Sequence, residues 1–201
     1  MPQELGLDTR QRILEAAANV FAKEGFRAAT VASIANSAGL NAITIYRYFP
    51  KKQQMYWDAL DYKLRSSGFI DHVSQAMESE CPPQEFLNRV ASESILRLSR
   101  EPALSRLLYF TALELDNEKK MLFRVYVKPL MQLLTSRIDL WIKSGETRAV
   151  NPESVAIVLV GAIFSCCNLH DLFGFTSARP ISPQELADEC AEICVAGIVP
   201  A

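Results

Sequence analysis

The stretch TVASIANSAGLNAITIYRYF, residues 30–49, decides the fold. Thr30 is a hydroxyl N-cap for a helix of barely two turns that buries Val31, Ile34 and Ala35, and Gly39 supplies the positive φ of a C′ position. Asn41 caps a second helix that runs to about Tyr48 and stops because Pro50 drives Phe49 out of the α region. Ile34, Ala35, Leu40 and Ile45 fall on the inner side, whereas Asn41, Ala42, Ile43 and Thr44 form the outward tip of the second helix. Two short helices joined at a tight Gly39-Leu40-Asn41 corner make a helix-turn-helix.

Working outward, helical periodicity continues in both directions, and no long two-residue alternation suggests a sheet. The expected fold is all-α. Before the motif, Asp8 with Gln11 reads as a helix start, Ile13, Leu14, Ala17, Val20 and Phe21 form one stripe, and Gly25 falls just past the end. After it, a helix runs from about Lys51 to Arg65 or beyond. Pro82-Pro83, Pro102, Asp116-Asn117, Gly145 with Asn151-Pro152, and Gly174 through Pro183 cut the remainder into about five helices. Asn151-Pro152 reads as N-cap and N1, and Ser182 with Glu185 as a capping box around Pro183. Glu118–Ser144 reads as one long helix bent by Pro129, whose ring nitrogen leaves the Val125 carbonyl without its bond. No internal repeat is visible.

With 201 residues, 49% hydrophobic and 22% charged, the chain has the composition of an ordinary globular protein, and disorder and low-complexity classes are excluded. Residues 9–65 carry 9 Lys/Arg against 4 Asp/Glu, whereas residues 66–201 carry 12 against 17, an anion-facing head on an acidic body. MPQELGLDTR, the first ten residues, lacks a secretory apolar core, and five cysteines are an odd number, so a cytoplasmic location is expected. The apolar run Val155–Cys167 is shorter than the ~20 residues of a bilayer span, so no membrane span is expected. Without a Gly-rich phosphate loop, a G-x-S-x-G or an H-E-x-x-H, an enzyme is not expected, and no cofactor is implied. Cys166/His170 and Cys190/Cys194 have the i, i+4 spacing of metal ligands, but small buried cysteines on a helix seam are commoner, and no metal is expected. Vicinal Cys166-Cys167 leaves open a redox-responsive alternative, although nothing basic lies nearby to lower either thiol pKa. His72 is assigned no role.

The run TRQRILEAAANVFAKEGFRAATVASIANSAGLNAITIYRYFPKKQQM resembles the N-terminal domain of the TetR family of transcriptional regulators. The resemblance rests on Phe21-Ala22, the Glu24-Gly25-Phe26 corner, Thr30, Ile34-Ala35, Ala38-Gly39 and Thr44-x-Tyr46-x-Tyr48-Phe49, and covers residues 9 to about 60. It implies a DNA-binding domain over residues 6–66 and a helical ligand-binding and dimerisation domain over 67–201. It implies that Thr30 and Ser33 bind phosphate, that Thr44 and Tyr46 touch bases or backbone, that Tyr48 holds a phosphate and that Lys52 clamps the next one. The chain departs from the family pattern at Ala42, Ile43 and Lys51, where Lys, Gly and a capping Ser or Asn are usual. Ala42 and Ile43 cannot donate hydrogen bonds, which points to contacts with thymine methyls. Tyr46 also admits a half-buried packing role, and Arg47, opposite Thr44, a structural one.

Residues 155–164 are apolar around the whole circumference, so that helix must be covered on every side. The resemblance implies a four-helix dimer interface, here through Val155, Leu159, Ile163, Leu186, Cys190, Ile193 and Gly197, and two heads ~34 Å apart suit a palindromic operator in double-stranded DNA. Candidate pocket residues are Tyr109, Phe110, Glu114, Phe123, Tyr126, Met131, Trp141, Phe164 and Asn168, an inventory suited to a mostly apolar or aromatic small molecule. The function expected is a homodimeric regulator, a repressor released by that effector, through movement of the helix that follows the motif. A helical interaction module without DNA binding is the other alternative.

Overall fold

The computed structural model describes residues 2–173 and 181–198, and among them no strand occurs. In chain order the helices are α1 (Pro2–Ala28), α2 (Val31–Ala38), α3 (Ala42–Tyr48), α4 (Lys52–Ser66), α5 (Phe69–Glu78), α6 (Pro83–Arg100), α7 (Pro102–Glu114), α8 (Asp116–Leu122), a π-helical segment Phe123–Val127, α9 (Lys128–Ser144), α10 (Pro152–Phe173) and α11 (Pro183–Ala196). They form two compact units, Met1–Ser67 with Glu101–Lys120, and Gly68–Arg100 with Met121–Ala201.

In the first unit, the head, α1 starts at Pro2, so Asp8 lies inside a helix and does not open it. The helix breaks at Gly25, where φ 78° and ψ 168° suit only glycine. Ile13, Ala17 and Phe21 of α1 are buried with Ile34, Ile45, Phe49, Met55, Tyr56 and Leu60. Phe21 and Phe26 meet the Tyr56 ring edge-on at 4.9 and 5.5 Å, an arrangement that aromatic quadrupoles favour. Val31 and Leu40, expected inside, are only half-buried, because each sits at the edge of its packed face. The head also takes in α7, whose Leu104, Leu107 and Thr111 are buried. The Tyr56 hydroxyl donates to the Leu107 carbonyl at 2.8 Å and lies 3.1 Å from the Thr111 hydroxyl. Lys63 bridges Glu15 of α1 at 2.9 Å and Glu101, ahead of α7, at 3.6 Å.

The second unit packs α11 on α6 and α6 on α5, with α9 and α10 alongside. Phe86, Leu87, Val90, Ala91 and Ile95 form the buried side of α6, and Phe86 meets Trp141 of α9 at 5.1 Å, nearly perpendicular. The chain past residue 66 divides more finely than five helices. Gly68, at φ 68°, starts α5 immediately after α4, and the stretch expected as one bent helix splits at Phe123–Val127. The bend takes the form of a π turn: Lys128 N–H bonds back to the Phe123 carbonyl, five residues earlier, just ahead of Pro129. An extra residue in the turn removes the clash between the proline ring and the preceding carbonyls without ending the helix. The starts at Asn151 and Ser182 are as expected: Asn151 Oδ1 accepts from Ser154 N–H at 2.9 Å, and Ser182 and Glu185 close a capping box.

The 22-residue α10 holds the one described helix long and apolar enough to cross a membrane, over Pro152–Leu169 at mean hydropathy 1.7, by length and composition. The shorter apolar run in the sequence understated it. The expectation that this helix is covered all round does not hold within the protomer. Ala156, Leu159, Ile163 and Cys167 are buried, whereas Ile157 and Val158 are 58% and 62% exposed.

Candidate nucleic-acid interface

The outward surface of the head is set by two caps. Thr30 Oγ1 accepts from Ser33 N–H at 3.0 Å, and Ser33 Oγ accepts from Thr30 N–H at 3.1 Å while donating to the Thr30 carbonyl at 2.8 Å. Both hydroxyls are therefore engaged in holding the first turn of α2. Asn41 Oδ1 accepts from Thr44 N–H at 2.8 Å and from the Thr44 hydroxyl at 3.0 Å. Between the caps, Gly39 turns the chain at φ 65°, and Arg12 of α1 donates to the Ala38 carbonyl at 3.0 Å, closing the end of α2. Arg12 is a structural contributor that the motif reading missed, because its partner is a main-chain oxygen far along the chain.

The cap at Asn41 aims the first turn of α3 away from the core. Ile43 is 76% exposed, Tyr46 is 53% exposed, and Asn41 is exposed, with Ala42, Thr44 and Tyr48 half-buried beside them. Ile45 alone is buried in α3. Tyr46 at this exposure is not a packing residue. Arg47 is exposed in the last turn of α3. At Lys51, where a capping side chain is usual, α4 starts without a side-chain cap bond.

Residues 13–57 match the family described as bacterial regulatory proteins, tetR family. Residues 13–57 are a tetR-family N-terminal domain. Proteins with this domain are DNA-binding transcriptional regulators, and the relatives of this chain include HTH-type transcriptional regulators. Among relatives, the HTH-type transcriptional regulator YdgC of Bacillus subtilis (strain 168) is 28% identical over 200 residues, covering 97% of this chain and 95% of that one. The fold is shared with FadR of Bacillus subtilis, solved in complex with stearoyl-CoA, at TM-score 0.77 and 20% identity over 93% of this chain and 98% of that one. It is shared likewise with AibR, solved with isovaleryl coenzyme A and operator DNA, at TM-score 0.76 and 18% identity over 92% and 97%.

Lys52, which the tetR-family resemblance assigns to a phosphate, is folded back. Its Nζ lies 4.7 Å over the Phe26 ring and 3.4 Å from the Arg27 carbonyl oxygen. Partial burial there lowers its pKa, and the Glu114 carboxylate opposes the shift.

The residues considered for a tetR-family effector pocket fall in both units. Tyr109, Phe110 and Glu114 belong to α7 in the head, and Glu114 accepts a bond from Arg27 N–H at 3.1 Å. In the second unit Tyr126, Trp141 and Asn168 are buried, Met131 and Phe164 half-buried and Phe123 exposed. Asn168 donates to the Phe164 carbonyl at 2.5 Å, and its buried Oδ1 has no hydrogen-bond partner among the described residues.

Of the residues assigned to a dimer surface, Leu159, Ile163 and Cys190 are covered by the protomer's own helices, Val155 and Leu186 are half-buried, and Gly197 and Ile193 are exposed, Ile193 at 70%. Ile157 and Val158 supply the exposed apolar side of α10 instead. All five thiols are free. Burial pushes the Cys166 thiol up, and the neighbouring Cys190 of α11 opposes the shift. The His170 side chain lies outside the described residues, and among those described no three potential ligands gather for a metal.

Proposed function

We propose that the chain is a homodimeric, cytoplasmic repressor that reads a palindromic operator with the Asn41–Tyr48 surface of each head and is released by an apolar acyl thioester. The observation that carries the reading is the exposure of Ile43 and Tyr46 on a helix aimed outward by the Asn41 cap. Ile43 and Ala42 meet thymine methyls, Tyr46 and Thr44 the neighbouring edges or backbone, and Thr30, Ser33, Tyr48 and Lys52 the phosphates, with Thr30 and Ser33 turning their hydroxyls from the cap to do so. The division into a DNA-reading portion, 6–66, and a ligand-binding and dimerising portion, 67–201, describes these roles. Two solved tetR-fold neighbours hold acyl-coenzyme A thioesters, and the buried, unpartnered Asn168 Oδ1 offers an acceptor to a ligand's amide or hydroxyl.

Release requires the effector to bind one arrangement better than the other, and ~1–3 kcal/mol of such preference changes DNA affinity ~5- to 150-fold. Selection of bound duplexes from a random pool, followed by gel shifts against salt, tests the DNA reading. A palindromic consensus and a steep salt dependence are expected. Thr44→Ala and Lys52→Ala weaken binding in a folded protein, Lys52→Ala about equally for all sequences. Unchanged binding in both variants refutes the docking face. Acyl-coenzyme A thioesters of increasing chain length, added to the complex, dissociate it if the effector class is right; indifference to every length refutes that class alone.

A further inference from the structure

We propose that Glu114, at the end of α7, is an internal rival of the DNA phosphate for Lys52, so that the seating of α7 sets how strongly the head grips the backbone. The inference rests on Lys52 being a phosphate ligand and adds the residue that regulates it. Both side chains meet Arg27, just beyond the Gly25 break. Glu114 Oε2 accepts from the Arg27 N–H at 3.1 Å, and Lys52 Nζ lies 3.4 Å from the Arg27 carbonyl oxygen. A carboxylate and an ammonium thus hold the two polar groups of one residue.

The seat is fitted closely. A Cβ on Gly25 would lie 3.1 Å from the Phe110 ring and 3.2 Å from Glu114 Oε1, so a side chain there would push both off by a few tenths of an ångström. The Phe26 ring, 4.7 Å below the ammonium, completes the resting place. The field of Glu114 reaches Lys52, raising its pKa against the lowering by burial. To reach a phosphate, Lys52 leaves the ring, the carbonyl and this field. A ligand that favours the seated α7 weakens the grip, and one that favours the unseated α7 strengthens it.

Glu114→Gln isolates the charge, because the amide oxygen still accepts the Arg27 N–H. The test is a double-mutant cycle on the full chain, with Glu114→Gln, Lys52→Ala and both together, binding a labelled duplex of mixed sequence across a salt series, since phosphate contacts need no particular sequence. Circular dichroism confirms that each variant is folded. Glu114→Gln is expected to tighten binding about 3-fold at low salt, the size of one charge acting across several ångströms of partly solvated protein. It should also steepen the slope of log K against log salt by at most ~0.9. In the Lys52→Ala background it should change neither. Equal tightening in both backgrounds makes Glu114 a general repulsive charge and overturns the proposal, as does no tightening with Lys52 present. If Lys52→Ala alone leaves affinity and slope unchanged, the phosphate role of Lys52 falls, and the rivalry with it.

Discussion

Gly25 shows how one position carries several demands at once. Its backbone conformation is closed to other residues, and its missing side chain leaves room for Phe110 and Glu114. Gly25→Ala is expected to lower stability by ~1–3 kcal/mol from backbone strain, with a further loss from displacing Phe110, read as a lower midpoint in urea at unchanged slope. The requirement at Gly25 is legible in sequence as the end of a helix, but the partner that fills the space is not, because it lies on α7, some 85 residues away in a chain of 201. The same division runs through the surface residues. The caps at Thr30, Asn41 and Ser182 are local bonds between residues three apart, and short-range chemistry specifies them fully. The resting place of Lys52 depends on Phe26, Arg27 and Glu114 together, and no local pattern contains it.

At the scale of elements, boundaries marked by proline, glycine and capping residues lie close to where sequence places them, whereas the face an element buries depends on how varied its composition is. In α6, charged and apolar residues alternate at helical spacing and the buried side is plain. In α10 nearly every residue is apolar, so periodicity cannot separate Leu159, which is buried, from Val158, which is not. A dimer surface expected to include Leu159 and Ile163 therefore overlaps the protomer's own core. Pro129 gives a third case: its effect on the helix is foreseeable, but the choice of a wider turn over a kink is made by the surrounding packing. For α11, whose start is well specified, Ser182→Ala removes one half of the capping box and should cost about 1 kcal/mol, seen as faster amide exchange over the first turn.

At the scale of the whole molecule, Ile157 and Val158 in α10 and Ile193 in α11 are apolar and exposed on the second unit. Under the proposed dimer, Val158→Glu should leave each protomer folded and produce monomers in equilibrium sedimentation, with operator affinity reduced at least tenfold, because two heads on one assembly bind far more tightly than one. Leu159→Glu, one residue along, should instead unfold the second unit, since it places a charge in a site with no exposure. A variant Val158→Glu that remains dimeric moves the interface elsewhere.

The head is built from two separate lengths of chain, with α7 returning to cover α1 and α4 after the polypeptide has left for the other unit. A single cut after α4, joining the reading portion of one regulator to the sensing portion of another, would divide the head. In this protein such a hybrid would pair native Gly25 and Tyr56 with a stranger's α7, and the graft would reject at the seam unless Pro102–Glu114 travelled with the transplanted piece.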